Sequence, residues 1–312
     1  MNPASLPRKI LLVSLISLLL FSLLFSLSAA IHAQDDGAGQ RTTIILSDID
    51  DNAVEVIELL QPLADYLAVG LADFGIDAGD VMVAPNMETM ITWLADHEVD
   101  VLFDSPYPAM VMRQEAGAVP VLRRWKDGVE AYHSVFFAMQ TSDLTSIEDL
   151  QGQVVAFDSP QSTSGYMLPK AYLLEAGLTP VEAAEPNANV ADDEIGYIFT
   201  ESDETTIQWV ISGRVAAGVV DNNIYAEIPE GARQRMVILA ETIDVPRHVV
   251  ILRPGMDRAL QEAIMELLAN LDEDEAGQAI LEGIETARFD QFPEGPEAAL
   301  DKLQNLFDLV QD

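Results

Sequence analysis

The tetrapeptide Phe-Asp-Ser-Pro occurs twice, at 103–106 and at 157–160, each time closing a short β-branched apolar run, VDVLF in the first copy and QVVAF in the second. Such a run reads as a strand, and Asp-Ser-Pro then breaks it and caps the helix that follows. The chain therefore commits twice to a strand–turn–helix unit, which restricts its fold more than any other feature. On turn statistics alone, chance repetition of common turn chemistry weighs about equally. The surroundings decide between the two.

Those surroundings alternate. TTIIL (42–46) reads as a strand and passes through SDIDDN (47–52) into a helical pattern over 54–72. VMVA (81–84) is a strand, METMITWLAD (87–96) a helix, and VDVLF (99–103) the strand that ends in the first FDSP. Strands alternating with helices predict a parallel, doubly wound sheet. From His133 the rhythm restarts: HSVFFAMQ as strand, TSIEDLQG as short helix and turn, QVVAF as strand, then MLPKAYLLEAG as a helix stopped by Gly177. IGYIF, TTIQWVISG and VAAGVV continue this second unit, and VILAETIDVPRHVVIL (237–252) carries the chain back. Three helical segments after Met256 complete it. The expectation is an α/β fold of two doubly wound lobes joined by a two-crossing hinge near 131–134 and 241–247. Lobe 1 would take 41–131 and 247–312, and lobe 2 would take 132–246. A ligand belongs between them, at strand C-terminal ends. Each lobe would then aim one FDSP exit at the cleft.

Residues 1–33 read as a secretory signal: Arg8 and Lys9 precede an apolar run from Ile10 to Ala30, and Ser28-Ala29-Ala30 or Ala33 supplies a cleavage site. The run is longer than a usual signal core, so an uncleaved N-terminal helix tethering the protein is the alternative. Either way the globular part is expected in the periplasm or outside the cell. The chain has no cysteine, which excludes a lipidated Cys, disulfides and thiolate chemistry. A formal charge of −36 makes nucleic acid and anionic membranes poor partners and reads as a solvated surface.

In the second exit, Ser162-Thr163-Ser164-Gly165 follows the strand and opens a helix. Three hydroxyls and the first free backbone N–H groups converge there, so a tetrahedral oxyanion is the natural guest, and Gly165 lets the backbone approach without a Cβ. Simple helix capping is the plainer reading of that stretch. No G-K-[ST] and no G-x-S-x-G accompanies it, which excludes a Walker loop and a nucleophile elbow. The histidines, at 32, 97, 133 and 248, form no metal-binding pair. SDIDDN has Ala53 where a calcium loop needs glycine, so it reads as a βα loop. Tyr107 in the first exit and Asp221, after the VAAGVV strand, are further polar groups at strand ends.

SIEDLQGQVVAFDSPQSTSGYMLPKAYLLEAGL (146–178) and ESDETTIQWVISGRVAAGVVDN (201–222) resemble the phosphonate-binding proteins of ABC importers, a group that also takes phosphate and phosphite. The likeness extends over roughly 43–270 and is strongest at 132–222. It implies a type II periplasmic binding protein fold, hinge closure on a small phosphorus oxyanion, a monomer without cofactor or metal, no catalysis, and delivery to a membrane permease with its ATPase. By position, Ser162, Thr163, Ser164 and Gly165 would bind the oxyanion, with Ser105, Tyr107 and Asn52 of the 47–52 loop closing from the other lobe. Asp203 stands near where the resemblance leads one to expect a His, and Asp203 and Asp221 are therefore candidates for the ligand's substituent. Two other classes stay open on sequence: the same receptor feeding a membrane sensor, and a serine esterase, for which no base pairs with the serine by motif.

Overall fold

The computed structural model describes residues 42–311; the expected signal, 1–33, lies outside the described residues. The strands are β1 (Thr43–Ile49), β2 (Ala78–Ala84), β3 (Val101–Asp104), β4 (Val119–Lys126), β5 (Ala131–Tyr132), β6 (Ser134–Met139), β7 (Val154–Phe157), β8 (Thr179–Glu182), β9 (Glu194–Phe199), β10 (Ala217–Asp221), β11 (Met236–Glu241), β12 (Val245–Pro246), β13 (His248–Leu252) and β14 (Thr286–Asp290). The helices are α1 (Ala53–Gly70), α2 (Met87–Ala95), α3 (Pro106–Ala116), α4 (Leu168–Glu175), α5 (Asp203–Ile211), α6 (Asn222–Glu227), α7 (Glu230–Arg233), α8 (Arg258–Ala269), α9 (Glu275–Gly283) and α10 (Pro296–Gln311).

Two six-stranded sheets form, β14-β4-β13-β3-β1-β2 and β11-β6-β10-β7-β9-β8. In the first, β1 lies parallel to β2 and β3, while β13 is antiparallel to β3 and β4. In the second, β7, β8, β9 and β10 run parallel and β6 is antiparallel to β10. The wholly parallel sheets expected from the βα rhythm are thus mixed, because the strand arriving from each crossing enters its sheet in the reverse direction. The crossings pair with each other: β12 and β5 make a two-stranded antiparallel ribbon, Val245 opposite Tyr132. One consequence positions the site. The C-terminal ends of β1, β3 and β4 and the start of β13 share one edge of the first sheet, and Val249 pairs with Asp104 as His248 pairs with Arg124. In the second sheet the ends of β7, β9 and β10 share an edge with the start of β6, Asp221 pairing with Ser134.

Each sheet is buried on both faces. Leu46, Phe103, Val250 and Phe289 look toward α1, α8 and α9, and Leu102, Val249 and Ile251 look toward α2 and α3. Phe136, Val155 and Val219 and, on the opposite face, Phe137, Ala156 and Val220 do the same for the second sheet. A further cluster belongs to neither sheet. Leu303, Leu306, Phe307 and Val310 of α10 pack on Met110 of α3, on Leu168 and Ala171 of α4 and on Tyr132 and Val245 of the crossings. Lys170 adds a hydrogen bond to the Val310 carbonyl (2.7 Å) and Lys302 one to that of Asp244 (2.7 Å). The last helix therefore fastens both lobes and the crossings together.

Two strands of the first sheet carry polar side chains into the protein. Arg123 is 7 % exposed and forks onto Asp290 of β14 through Nε (2.9 Å) and Nη2 (2.6 Å). Arg124 is 5 % exposed, donates to Thr286 Oγ1 (2.9 Å) and the Ile284 carbonyl (2.8 Å), and lies over the Phe103 ring. A bidentate pair of this kind is strong only while both members are present. Replacing Asp290 by Ala leaves the Arg123 charge enclosed, with Glu130 at 3.9 Å as its remaining carboxylate. We expect Asp290→Ala to lose about 3–5 kcal/mol in urea unfolding, whereas a loss below about 1 kcal/mol would show the pair to be solvent-screened.

Candidate functional site

The two FDSP exits meet. β7 ends at Phe157, and after the turn Ser162 caps the next helical turn, its Oγ accepting from the Gly165 N–H (2.9 Å). Residues Thr163–Met167 form a widened π turn, with the Met167 N–H reaching back to the Ser162 carbonyl (3.1 Å), before α4 continues as an α-helix. π turns often occur at functional sites because they re-aim side chains. Here the turn directs Thr163 toward the first lobe. Its Oγ1 accepts from the Tyr107 N–H (2.8 Å) at the start of α3 and donates to Ser105 Oγ (2.9 Å). Thr163 is 1 % exposed. Ser164 contributes its carbonyl to Ser134 Oγ (2.6 Å), and the Tyr132 hydroxyl lies close to both Thr163 and Ser164.

Gly165 is required by close approach. A Cβ there would stand 2.4 Å from the Asp158 Cβ and 2.9 Å from Ser162 Oγ. The glycine thus seats the second exit against its own strand end, where the Ser159 hydroxyl donates to the Asp158 carboxylate (3.4 Å) and Ser162 lies nearby. Tyr107 packs edge-on against Tyr166 and tilted against Phe307, with its hydroxyl 3.4 Å from Gln311 Nε2. Asn52 stands apart: it is exposed at the start of α1 and donates to Glu55 (2.6 Å), with no contact to either exit among the described residues.

Acidic groups line both walls. On the first, burial lifts Asp104 to about 7, with neighbouring Asp48 adding to the rise, and lifts Asp48 to about 6. Each has an oxygen taken by the next residue's N–H, Ser105 for Asp104 (2.6 Å) and Ile49 for Asp48 (2.7 Å). On the second wall, burial and then Asp158 and Asp221 raise Asp203 to about 7, opposed by Arg247. Asp221 caps α6, accepting from the Asn223 (2.8 Å) and Ile224 (3.0 Å) N–H groups. Burial and the nearby Arg124, Arg247 and Lys126 hold the His248 imidazole neutral, well below its usual range, and its Nδ1 is buried without a partner.

The structure brings Ser105, Tyr107, Ser162, Thr163, Ser164 and Gly165 into one cluster, and sets Asp203 and Asp221 beside Asp158 at the same end of the second sheet. Asp104 and Asp158 are the aspartates of the two FDSP exits and Asp48 lies in the 47–52 loop, whereas Tyr132, Arg247 and His248 join this edge without any sequence motif to mark them. Strand register alone delivers them, and register was not available from periodicity.

The raised carboxyls fix the sign of a pH effect. Asp48, Asp104 and Asp203 bind protons more tightly folded than unfolded, so the folded chain gains stability at low pH. That gain is lost as pH rises from the ordinary value of 3.8 through the folded values of about 6 to 7. We expect a higher urea midpoint at about pH 5 than at about pH 8, and a smaller difference in Asp104→Asn. Equal midpoints at the two pH values would remove the claim that these carboxyls are enclosed.

Comparison with known proteins agrees with the geometry. The family described as "ABC transporter, phosphonate, periplasmic substrate-binding protein" matches residues 49–293. Among solved structures, XAC2383 from Xanthomonas citri bound to ATP is 26 % identical, with a TM-score of 0.77, over 87 % of this chain and 98 % of that one. PhnD1 from Prochlorococcus marinus in complex with methylphosphonate is 16 % identical, with a TM-score of 0.57, over 86 % and 99 %. The binding protein component of an ABC phosphonate transporter from Pseudomonas aeruginosa is 13 % identical, with a TM-score of 0.54, over 87 % and 97 %. These neighbours share a bilobed type II periplasmic binding fold with mixed sheets. The matched span runs from the end of β1 to beyond β14, and the chain belongs to the periplasmic phosphonate substrate-binding protein family of ABC transporters, whose members are extracytoplasmic solute-binding components that work with a permease and its ATPase and are not enzymes.

Proposed function

We propose that this chain binds a phosphorus oxyanion, a phosphonate, phosphite or phosphate, between its lobes and hands it to a membrane permease driven by its ATPase. Lobe 1 is 41–131 with 247–312 and lobe 2 is 132–246, exported by the N-terminal signal. The observation that carries this reading is the junction of the two exits. The Tyr107 N–H and the Ser105, Ser134 and Thr163 hydroxyls already hydrogen-bond within it, with the Tyr132 hydroxyl close by, while Ser162 and Ser164 flank it. Such donors exceed what helix capping requires, since Ser162 alone caps the turn. An oxyanion engages them in place of Thr163, and burial between lobes makes each bond to a charged acceptor stronger than in water. ATP, carried by the 26 % identical Xanthomonas protein, also presents phosphorus oxyanions.

Asp203 sets the preference among these ligands. Two like unit charges at about 4 Å repel by roughly 4 kcal/mol at an effective dielectric near 20, so an ionised Asp203 disfavours full phosphate dianion. With its proton retained up to about pH 7, the same carboxyl donates to a monoanion. Ionised, it pairs with an ammonium, with Asp221 and Glu204 beside it. Reduced or organic phosphorus ligands, aminoalkylphosphonates included, therefore rank above phosphate. The test is calorimetry of the exported chain near pH 8 against methylphosphonate, aminoethylphosphonate, phosphite, phosphate and ATP. We expect a phosphonate or phosphite to bind most tightly, and Ser164→Ala to weaken it by about 1–3 kcal/mol. Binding of none of the five, or a Ser164→Ala affinity equal to wild type, would place the function elsewhere.

A further inference from the structure

Cations are scarce in this protein, 16 Lys and Arg against 52 Asp and Glu, so the employment of each near the cleft is informative. Arg123 is committed to Asp290, Arg124 to Thr286 and Ile284, and Arg253 to Asp100 at 2.7 Å. Arg247 is placed differently. It follows β12 on the second crossing, and its backbone N–H is fixed to the Glu130 carbonyl (3.1 Å) of the first crossing. Its guanidinium lies 4.9 Å from the centre of the Tyr132 ring, and the hydroxyl of that ring lies close to Thr163 and Ser164. No hydrogen bond from its side-chain nitrogens occurs among the described residues, and its ion pair, to half-exposed Asp127, is long at 3.6 Å. Five donors on a planar fork are thus held beside the signature hydroxyls with almost none spent.

We propose that Arg247 is the cation that pairs with the anionic group of the ligand, swinging from Asp127 onto the oxyanion. The inference rests on the oxyanion reading above and deepens it. A phosphorus oxyanion entering a cleft lined by Asp48, Asp104, Asp158, Asp203 and Asp221 meets a repulsive field that hydroxyl donors alone do not cancel. A guanidinium at contact distance does, and its fork matches two oxygens of a tetrahedral anion. Arg247 already acts on both walls, lowering the proton affinity of Asp203 on one and of His248 and Arg124 on the other. Its position between β12 of the crossing and β13 of the first sheet sets the cation next to both walls.

The experiment compares wild type, Arg247→Gln, Arg247→Lys and Asp127→Asn by calorimetry, using whichever of methylphosphonate, phosphite and inorganic phosphate wild type binds most tightly. Arg247→Gln is expected to lose roughly ten- to a hundredfold in affinity and to show a weaker salt dependence than wild type. Arg247→Lys should recover part of the loss, as a point charge without the fork. Asp127→Asn, which removes the competing carboxylate at a position of positive φ (56°) that Asn tolerates, should bind more tightly than wild type. It also decides the matter if Arg247→Gln fails to fold, since unchanged or weaker binding in Asp127→Asn then contradicts the proposal. Wild-type binding with Arg247→Gln within twofold of it would overturn the role of Arg247 alone. If wild type binds none of the three oxyanions, the oxyanion reading falls and this inference falls with it.

Discussion

The Thr163 hydroxyl joins two turns made of the same four residues in different halves of the chain, accepting from the Tyr107 N–H and donating to Ser105. Much of the local architecture is what is needed to bring it there. Gly165 permits the helix start to lie against Asp158, the π turn rotates Thr163 out of the capping position held by Ser162, and α10 clamps α3 to α4 from behind. With the exits joined in this way, polar groups that would each be ordinary caps in isolation become a set of donors aimed at one place. Capping and binding are the same chemistry at different occupancies of a helix start.

Electrostatics turns that donor set into a selective one. The chain is acidic throughout, yet exposed charges beyond about 8 Å are screened at physiological salt. On the proposed reading a ligand meets the local set, namely Asp48 and Asp104 on one side, Asp158, Asp203 and Asp221 on the other, and Arg247 between. Burial lifts Asp48, Asp104 and Asp203 toward neutrality, which lowers the repulsion they exert and lets them donate as acids. On that reading the cleft distinguishes oxyanions by how much charge they carry and by whether they bring a proton or a cation of their own.

How legible all this was in the sequence depended on where polar groups ended up. Strands that contain an unbroken apolar run, such as β1, β3, β7 and β10, announced themselves by it. β4 did not, because its Pro120 and its Arg123-Arg124 pair interrupt the pattern, and β14 did not, because its buried Thr286 and partly buried Asp290 are the partners of those arginines. The two strands hide each other. β8 was missed for a different reason: it is an edge strand containing Pro180, with none of its residues fully buried. At the site, the STSG turn and the repeated exit could be read directly, since both are contiguous. Tyr132, Arg247 and His248 could not, since only the pairing of β13 with β4 and of β12 with β5 assembles them.

The claim on which the rest depends is that the joined exits, and no other concavity, receive the ligand. One alternative is a cavity of about 650 Å³ at the opposite end of the second sheet, lined by Ser142, Gln153, Asn187 and Arg214 among others. A crystal structure of the exported chain with its tightest-binding phosphorus oxyanion separates the two. The account predicts phosphorus-bound oxygens within hydrogen-bond distance of the Ser162–Ser164 turn and of the Tyr107 N–H. An oxyanion seated in the distal cavity, with Thr163 still bonded to Ser105 and Tyr107, would contradict it.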